Sequence, residues 1–230
     1  MSHAATSVAS RPSRLGVLWR SSIGRKALMA VTGIVLFLFV LVHMIGNLQA
    51  FQGAGALDRY AELLRTSMPF LWFVRIVLLV SVVVHAVAGI DLYAGRQRAR
   101  PVDYRTWRPV TSSPASRTMI WSGLLILGFV VYHLLDLTLG VANPSFQEGR
   151  VYQNLLASLG RTAAALFYVA AVVGLGLHLW HGLWSMFQSL GLASRGISIG
   201  IQKLAIGTAV ILTVGFAAVP IAILLGLLRP

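Results

Sequence analysis

The sequence predicts an all-α fold, an integral membrane protein built as a bundle of five transmembrane helices. Apolar residues make up 57% of its 230 residues and charged residues only 11%, whereas soluble globular domains carry about 25% charged residues. Three stretches, residues 27–57, 162–194 and 204–228, contain no Asp, Glu, Lys or Arg. Each is longer than the roughly 20 residues that a helix needs to cross the hydrocarbon core of a bilayer.

The chain is expected to comprise a basic cytoplasmic tail, residues 1–20, and one five-helix domain, residues 21–230. The apolar run after the tail is too long for a signal peptide, so we expect the first span to be retained. Pro69 suits the start of the second span because its missing N–H is not needed there. The predicted spans are residues 24–50, 69–94, 117–140, 161–190 and 203–228.

The connectors between these spans differ in character. Residues 53–67 carry Leu and Tyr at helical spacing, which predicts a short helix lying in the membrane interface. Residues 95–116 are rich in Arg and Pro, and the prolines interrupt any helix. Residues 141–160 are predicted to form a polar connector. The fifth span has no histidine and no acidic residue, which predicts a packing helix.

The distribution of basic residues predicts the orientation of the bundle. Thirteen of the 19 Lys and Arg lie in the N-terminal segment, in the 96–117 connector or in the 195–203 link, which all fall on one side of a five-span bundle. The positive-inside rule places that side in the cytoplasm, so the C-terminus is predicted to lie outside. Because the charges lie between spans, we expect no nucleic-acid partner despite the net charge of +13.

Each of the first four spans carries a histidine well inside its apolar stretch: His43, His85, His133 and His178. Ionisable residues within a membrane are costly and usually functional. At about 1.5 Å per residue, the outer pair, His43 and His133, lies roughly 24 and 23 Å from the inner side. The inner pair, His85 and His178, lies roughly 15 and 18 Å from that side. We expect each pair to supply the two axial ligands of one haem b. Two imidazoles leave no open iron position, which predicts electron transfer.

The absence of cysteine limits how a cofactor can be held. It excludes disulfides, iron–sulfur ligation by this chain and covalent haem attachment, so coordination and packing must hold any haem. Gly46, Gly89, Gly128 and Gly174 flank the histidines, where small residues let a flat macrocycle or a neighbouring helix approach. A hydrogen bond within or between helices remains the alternative role for each histidine.

Other residues are candidates for the edge of a haem. His181 lies three residues after His178, about 60° around the helix, and is an alternative ligand or a propionate partner. The remaining propionate candidates are Arg25, Lys26, Arg96 and Arg117. Contact with lipid headgroups on the cytoplasmic side is the alternative role for these four.

Several segments resemble a known family. The first is Ser-Ser-Ile-Gly-Arg-Lys-Ala-Leu-Met-Ala-Val-Thr-Gly (21–33), followed by Leu-Val-His-Met-Ile-Gly-Asn-Leu-Gln-Ala-Phe (41–51). Another is His-Leu-Trp-His-Gly-Leu-Trp-Ser-Met-Phe-Gln-Ser-Leu-Gly (178–191). Together they resemble the cytochrome b membrane-anchor subunit of bacterial succinate dehydrogenase and fumarate reductase, respiratory complex II, of the five-span, two-haem, single-polypeptide type. The resemblance covers nearly the whole chain from about residue 15.

The resemblance implies a multi-pass subunit of the bacterial cytoplasmic membrane that anchors a flavoprotein and an iron–sulfur protein on the cytoplasmic face. Succinate is oxidised at the flavin, a step of the tricarboxylic acid cycle. Electrons then pass through iron–sulfur clusters, the inner haem and the outer haem to a quinone, usually menaquinone. The family pairs its first ligand with its third and its second with its fourth, which is the pairing expected here from the depths of the histidines. His178 corresponds to the family's fourth ligand. Oligomeric association of the complex stays open.

One departure from part of the family concerns the direction of the reaction. Some fumarate-reducing relatives carry a glutamate two residues before the fourth ligand, and Gly176 stands at that position. This difference favours succinate oxidation over fumarate reduction, which remains the alternative.

A quinone pocket near the outer haem needs a hydrogen-bonding partner and a proton relay. Asp136 lies one turn from His133, and an acid inside a membrane is a candidate functional residue. Its alternatives are pairing with Arg75 or bonding the free ring nitrogen of a haem ligand. The further quinone-site candidates are Asn47, Gln49, Glu62, Trp72 and Arg75.

Two other functions compete with this interpretation. One is a structural membrane anchor that binds no haem, in which the histidines only form hydrogen bonds. The other is a small proton-coupled transporter that uses His and Asp as relay groups. The transporter is disfavoured because it calls for an inverted repeat and broken helices, whereas the spans read as unbroken.

Overall fold

The computed structural model describes residue 19 and residues 21–99, 113–194 and 196–229. Most of the predicted N-terminal tail therefore lies outside the described residues. The same holds for residues 100–112 of the Arg-rich connector and for Arg195.

Helix α1 (Ser22–Asn47) begins after Ser21, whose hydroxyl accepts a hydrogen bond of 2.8 Å from the backbone N–H of Gly24. A serine oxygen there satisfies one of the N–H groups that a first helical turn leaves unpaired. The helix continues as a 3-10 turn, Leu48–Gln52, which ends at Gly53 with a φ of 86°. Glycine adopts this backbone conformation without a steric penalty, so the chain can turn sharply after the first span.

Two helices follow the turn. Helix α2 (Ala54–Arg65) is the short helix predicted after the first span. It packs Tyr60 against the backbone of Gly46 on α1, where an added Cβ atom would lie 2.6 Å from the tyrosine ring. Helix α3 (Met68–Arg98) is the second span, with Pro69 in its first turn as the sequence predicts.

The third span departs from a regular helix at both ends. A four-residue helix, α4 (Pro114–Arg117), precedes α5 (Met119–His133). Beyond α5 the chain widens into a π turn, Leu134–Thr138, where the N–H of Leu139 donates 2.8 Å to the carbonyl of Leu134. Turns of this kind are rare and often occur at functional sites.

Three helices complete the chain: α6 (Val151–Leu159), α7 (Thr162–Ser189) and α8 (Ser198–Leu224). The last begins before the predicted bound of residue 203. Lys203 is exposed on the surface of α8, so the charge does not mark the start of the helix.

The predicted fold class is confirmed. Five helical segments are long and apolar enough to cross a membrane, and the described part of the chain contains no strand. These segments are Ser22–Gln52, Met68–Arg98, Met119–Thr138, Thr162–Ser189 and Ser198–Leu224.

The four histidine-bearing helices form a closed ring, in which α1 contacts α3, α3 contacts α5, α5 contacts α7 and α7 contacts α1. Helix α8 packs outside this ring, mainly against α7 and also against α1. Gly176 on α7 faces Thr213 on α8, and Gly215 on α8 faces Met44 on α1. Small residues at such crossings let membrane helices approach closely. The four helices are therefore arranged around a common axis.

The expectation of a polar connector at 141–160 is wrong for its second half, which forms the buried helix α6. Tyr152, Leu155 and Leu159 of this helix join Tyr168 of α7 in an apolar core. Residues 151, 155 and 159 recur at helical spacing, so one face of the segment is apolar and packs inward. The Asn154 side chain holds the preceding loop through two hydrogen bonds of 2.7 Å to the backbone of residue 147.

Candidate functional site

The ring of helices brings the four predicted histidines together as two pairs. The ring centres of His43 on α1 and His133 on α5 are 5.8 Å apart. Those of His85 on α3 and His178 on α7 are 6.2 Å apart. These are the pairs expected from depth along the spans. The alternative position His181 is half-buried, whereas His178 is the residue that faces His85.

The His85–His178 pair is held by neutral oxygen atoms of the facing helices. The Nδ1 atom of His85 lies 3.2 Å from the carbonyl oxygen of Met29 and 3.3 Å from the hydroxyl of Thr32. The Nδ1 atom of His178 lies 3.3 Å from the hydroxyl of Ser122. A carbonyl can only accept, so it favours the tautomer with the proton on Nδ1. The Nε2 atom then keeps its lone pair, which is the form in which an imidazole binds a metal.

These partners belong to a repeated pattern that reading the spans one by one had missed. The pattern is Met-x2-(Thr/Ser)-Gly-x9-His, where x is any residue. One copy begins at Met29 in α1 and the other at Met119 in α5. In each copy the hydroxyl residue contacts the histidine of another helix, while the final histidine joins the second pair. Comparing the two halves of the sequence would have revealed it.

The glycine of each copy lies against an imidazole ring. A Cβ atom added at Gly33 would lie 3.4 Å from Cε1 of His85, and one added at Gly123 would lie 3.4 Å from Cε1 of His178. A larger side chain at either position would therefore occupy the space beside the ring.

The four glycines expected to flank the histidines have different surroundings. Gly46 and Gly174 lie against the side chains of Tyr60 and Leu125 respectively, so they serve helix packing. An added Cβ atom at Gly89 would lie 3.8 Å from the sulfur of Met29, while one at Gly128 would have no neighbour within 4 Å.

A polar network supports the His43–His133 pair from one side. The Nδ1 atom of His133 lies 3.2 Å from Oη of Tyr168. The tyrosine hydroxyl donates a hydrogen bond of 3.0 Å to Oδ2 of Asp136, and the hydroxyl of Ser158 donates to the same oxygen. Arg161 donates to Oδ1 of Asp136 at 2.7 Å. Asp136 is fully buried, so this network satisfies a charge that would otherwise be unfavourable in the bundle.

The structure corrects the expected partners of Asp136. It pairs with Arg161 at the start of α7 and not with Arg75, which is exposed and lies over the ring of Trp72 at 5.2 Å. Its link to His133 passes through Tyr168, so the alternative of a direct bond to a ligand nitrogen is also wrong. Asp136 belongs to the π turn Leu134–Thr138, and its side chain is buried inside the bundle at this turn.

A cavity of about 160 Å³ lies beside the His43–His133 pair. Its lining includes both imidazoles and the polar residues Asn47, Thr138 and Asn154. Of the predicted quinone-site residues, Asn47 is the one in this lining. Gln49 is half-buried elsewhere, and Glu62, Trp72 and Arg75 are exposed.

The Arg and Lys candidates for propionate binding lie near the start of α1, near the end of α3 and in α4, on the side of the bundle nearer the His85–His178 pair. Arg25 forms an ion pair of 3.7 Å with Asp91, and Arg96 lies over the ring of Tyr93 at 5.3 Å. The Nε atom of Arg25 is buried without a hydrogen-bond partner in the described part of the chain. Lys26 and Arg117 are exposed.

The spacing of the two rings in each pair fits a metal bound between two imidazoles. In zinc sites an imidazole nitrogen lies about 2.0–2.1 Å from the metal, and bonds of that length on opposite sides of one metal would place two ring centres about 6 Å apart. The observed distances of 5.8 and 6.2 Å agree with this separation. Haem brings its own equatorial nitrogens and needs only these two axial ligands from the protein.

Among characterised proteins, the chain is similar to the succinate dehydrogenase cytochrome b558 subunit of Bacillus subtilis (strain 168). The two are 25% identical over 158 residues, which cover 67% of this chain and 73% of the relative. No family model matches the chain. No solved structure matches it significantly. The chain is therefore a distant homologue of that cytochrome b subunit.

Proposed function

We propose that this chain is the membrane-anchor cytochrome b subunit of a succinate dehydrogenase, which binds two b haems and carries electrons to a quinone. The name of its homologue supports membership of such a complex. The observation that carries the haem assignment is the meeting of four imidazoles from four helices as two pairs, with ring centres 5.8 and 6.2 Å apart.

The side chains hold the two sites in different ways. His85 and His178 present Nε2 because Nδ1 is bonded to oxygen atoms of α1 and α5. His133 is oriented by Tyr168, and His43 stacks on Phe39 at 5.1 Å between ring centres. Haem b, when bound, accepts and releases one electron at its iron. A haem held between two imidazoles of the protein would have no open iron position, so the sites would suit electron transfer.

The distribution of charge supports one orientation of the subunit. Thirteen of the 19 Lys and Arg belong to the N-terminal segment, the 96–117 connector or the 195–203 link of the sequence, and the positive-inside rule assigns such segments to the cytoplasm. We place the protein in the bacterial cytoplasmic membrane, with the flavoprotein and iron–sulfur subunits on the cytoplasmic face. The His85–His178 pair would then lie nearer those subunits and the His43–His133 pair nearer the outside.

The cavity beside His43 and His133 supports a quinone site at the outer level. It offers the amide of Asn47 and the hydroxyl of Thr138 beside the imidazole pair. Both groups can form hydrogen bonds with a quinone carbonyl oxygen, and the apolar residues of the lining suit its ring. Menaquinone is the quinone that we propose.

The environment of Gly176 favours succinate oxidation over the reverse reaction. A side chain added at this position would collide with Thr213 of α8. The helix crossing therefore has no room for the glutamate that some fumarate-reducing relatives of the family carry.

Purification from the native membrane tests the proposal. We expect the protein to co-purify with a subunit that holds covalent flavin and with a cysteine-rich subunit, and to show a split α band after dithionite reduction. Co-purification with both subunits but without haem absorbance would instead identify a haem-less anchor. Absence of both subunits would contradict membership of the complex.

Two histidine variants test the ligand assignment. His85→Ala should remove one haem of two and uncouple succinate oxidation from quinone reduction. His181→Ala should retain both haems, because His178 is the residue that faces His85. Retention of two haems in His85→Ala would contradict the assignment.

A further inference from the structure

The two histidine pairs differ in the charge of the groups to which their Nδ1 atoms are hydrogen-bonded. At the His85–His178 pair, the hydrogen-bond partners of Nδ1 are backbone carbonyl and hydroxyl oxygens, which are neutral. At the other pair, His133 connects through one hydroxyl to the carboxylate of Asp136. The same kind of ligand is therefore held in two electrostatic environments.

The available protons determine the direction of the hydrogen bonds that join His133, Tyr168 and Asp136. Arg161, Ser158 and Tyr168 all donate hydrogen bonds to the carboxylate of Asp136. A tyrosine hydroxyl has one proton, which is used on Asp136. Its oxygen can then only accept from Nδ1–H of His133. The network thus requires the tautomer of His133 that leaves Nε2 free.

We propose that Tyr168 and Asp136 are positioning residues that lower the reduction potential of the haem held by His43 and His133. This inference rests on the proposed function, because it concerns the haem assigned there. Hydrogen bonds in a chain polarise one another, so the carboxylate makes the tyrosine oxygen a stronger acceptor. A stronger acceptor at Nδ1 raises the basicity of the ligand at Nε2. A more basic ligand stabilises ferric over ferrous iron.

Two substitutions should shift this potential in opposite directions. Tyr168→Phe removes the acceptor and should raise the potential of one haem by up to about 59 mV, the value for a tenfold change in a one-electron equilibrium. Ser158→Ala removes a competing donor from Oδ2 of Asp136, which strengthens the remaining chain and should lower the same potential. A loss of packing alone would not produce opposite signs.

The matched control is Tyr132→Phe. Tyr132 lies beside Tyr168, with ring centres 6.1 Å apart, and it belongs to the same helix as His133. Loss of its hydroxyl should leave both potentials unchanged, because that hydroxyl is not part of the chain of hydrogen bonds to His133.

The measurement is a redox titration of the α band in the purified complex with both haems bound. The shift should persist when Tyr168→Phe is combined with His85→Ala, which retains only the haem of the His43–His133 pair. Unchanged potentials in Tyr168→Phe, or equal shifts of both haems, would overturn the inference and leave the proposed function intact. A wild-type complex without haem would overturn the proposed function itself. If Tyr168→Phe does not accumulate, the sign of the shift in Ser158→Ala decides.

Discussion

The imidazole of His85 lies directly against Gly33 of the neighbouring helix: a Cβ atom at that glycine would be 3.4 Å from Cε1 of the ring. Gly123 stands in the same relation to His178. The two glycines therefore border the His85–His178 pair from two sides, and the space beside the rings depends on both.

We expect Gly33→Leu to remove the haem of this pair, because the larger side chain would displace the ring of His85 or fill the space of the macrocycle. The measurement is the number of haems per polypeptide and the shape of the reduced α band. Gly207→Leu is the matched control, since an added Cβ atom at that helical glycine has no neighbour within 4 Å. Two haems in both variants would show that the glycine does not border the haem.

The crossing of α7 and α8 should be sensitive to one methyl group. Gly176→Ala would place its Cβ atom against the hydroxyl of Thr213 and should destabilise the protein by about 1–3 kcal/mol, as overpacking does. Combination with Thr213→Ala should recover part of the loss, with a coupling of about 0.5–3 kcal/mol. Thermal unfolding in detergent measures both. Gly200→Ala, where an added Cβ atom has no neighbour within 4 Å, serves as the control. Strictly additive effects would argue against the contact.

Arg161→Ala should destabilise the protein because it leaves the carboxylate of Asp136 buried without its cation. Breaking a buried ion pair in this way costs about 3–5 kcal/mol. We expect the lower end of this range, since the arginine side chain is 39% exposed and partly screened. Adding Asp136→Asn should reduce the loss, because a neutral amide needs no cation. Arg65→Ala, an exposed substitution, should change the free energy of unfolding by less than about 0.5 kcal/mol.

The orientation of the bundle can be tested with fusion reporters. A reporter that is active only outside the cytoplasm should be active when it follows residue 230, and inactive when it follows Arg98 at the end of the second span. The reason is the excess of Lys and Arg in the N-terminal segment, the 96–117 connector and the 195–203 link of the sequence. The reversed result would exchange the inner and outer assignments of the two pairs.

Sequence reasoning predicted the five helices and the grouping of the histidines, because both depend on regular spacing along one helix. Depth follows from the rise per residue, and errors of a few residues at the ends of a span do not change which histidines share a level. The same reasoning was wrong about the partner of Asp136. The choice between Arg75 and Arg161 depends on a π turn and on a buried helix, α6, in a segment expected to be a polar connector.

The amino-acid sequence by itself determined that the chain forms five helices long and apolar enough to cross a membrane, and that the histidines of its first four spans group as two pairs. Apolar length and helical rise carry that information locally. Only the tertiary structure decided which groups bond to Nδ1 of each imidazole. These are neutral oxygen atoms for His85 and His178, and a tyrosine bonded to a buried carboxylate for His133. These contacts join residues of different helices, and their direction depends on how each helix is rotated and packed, which spacing within one span does not specify.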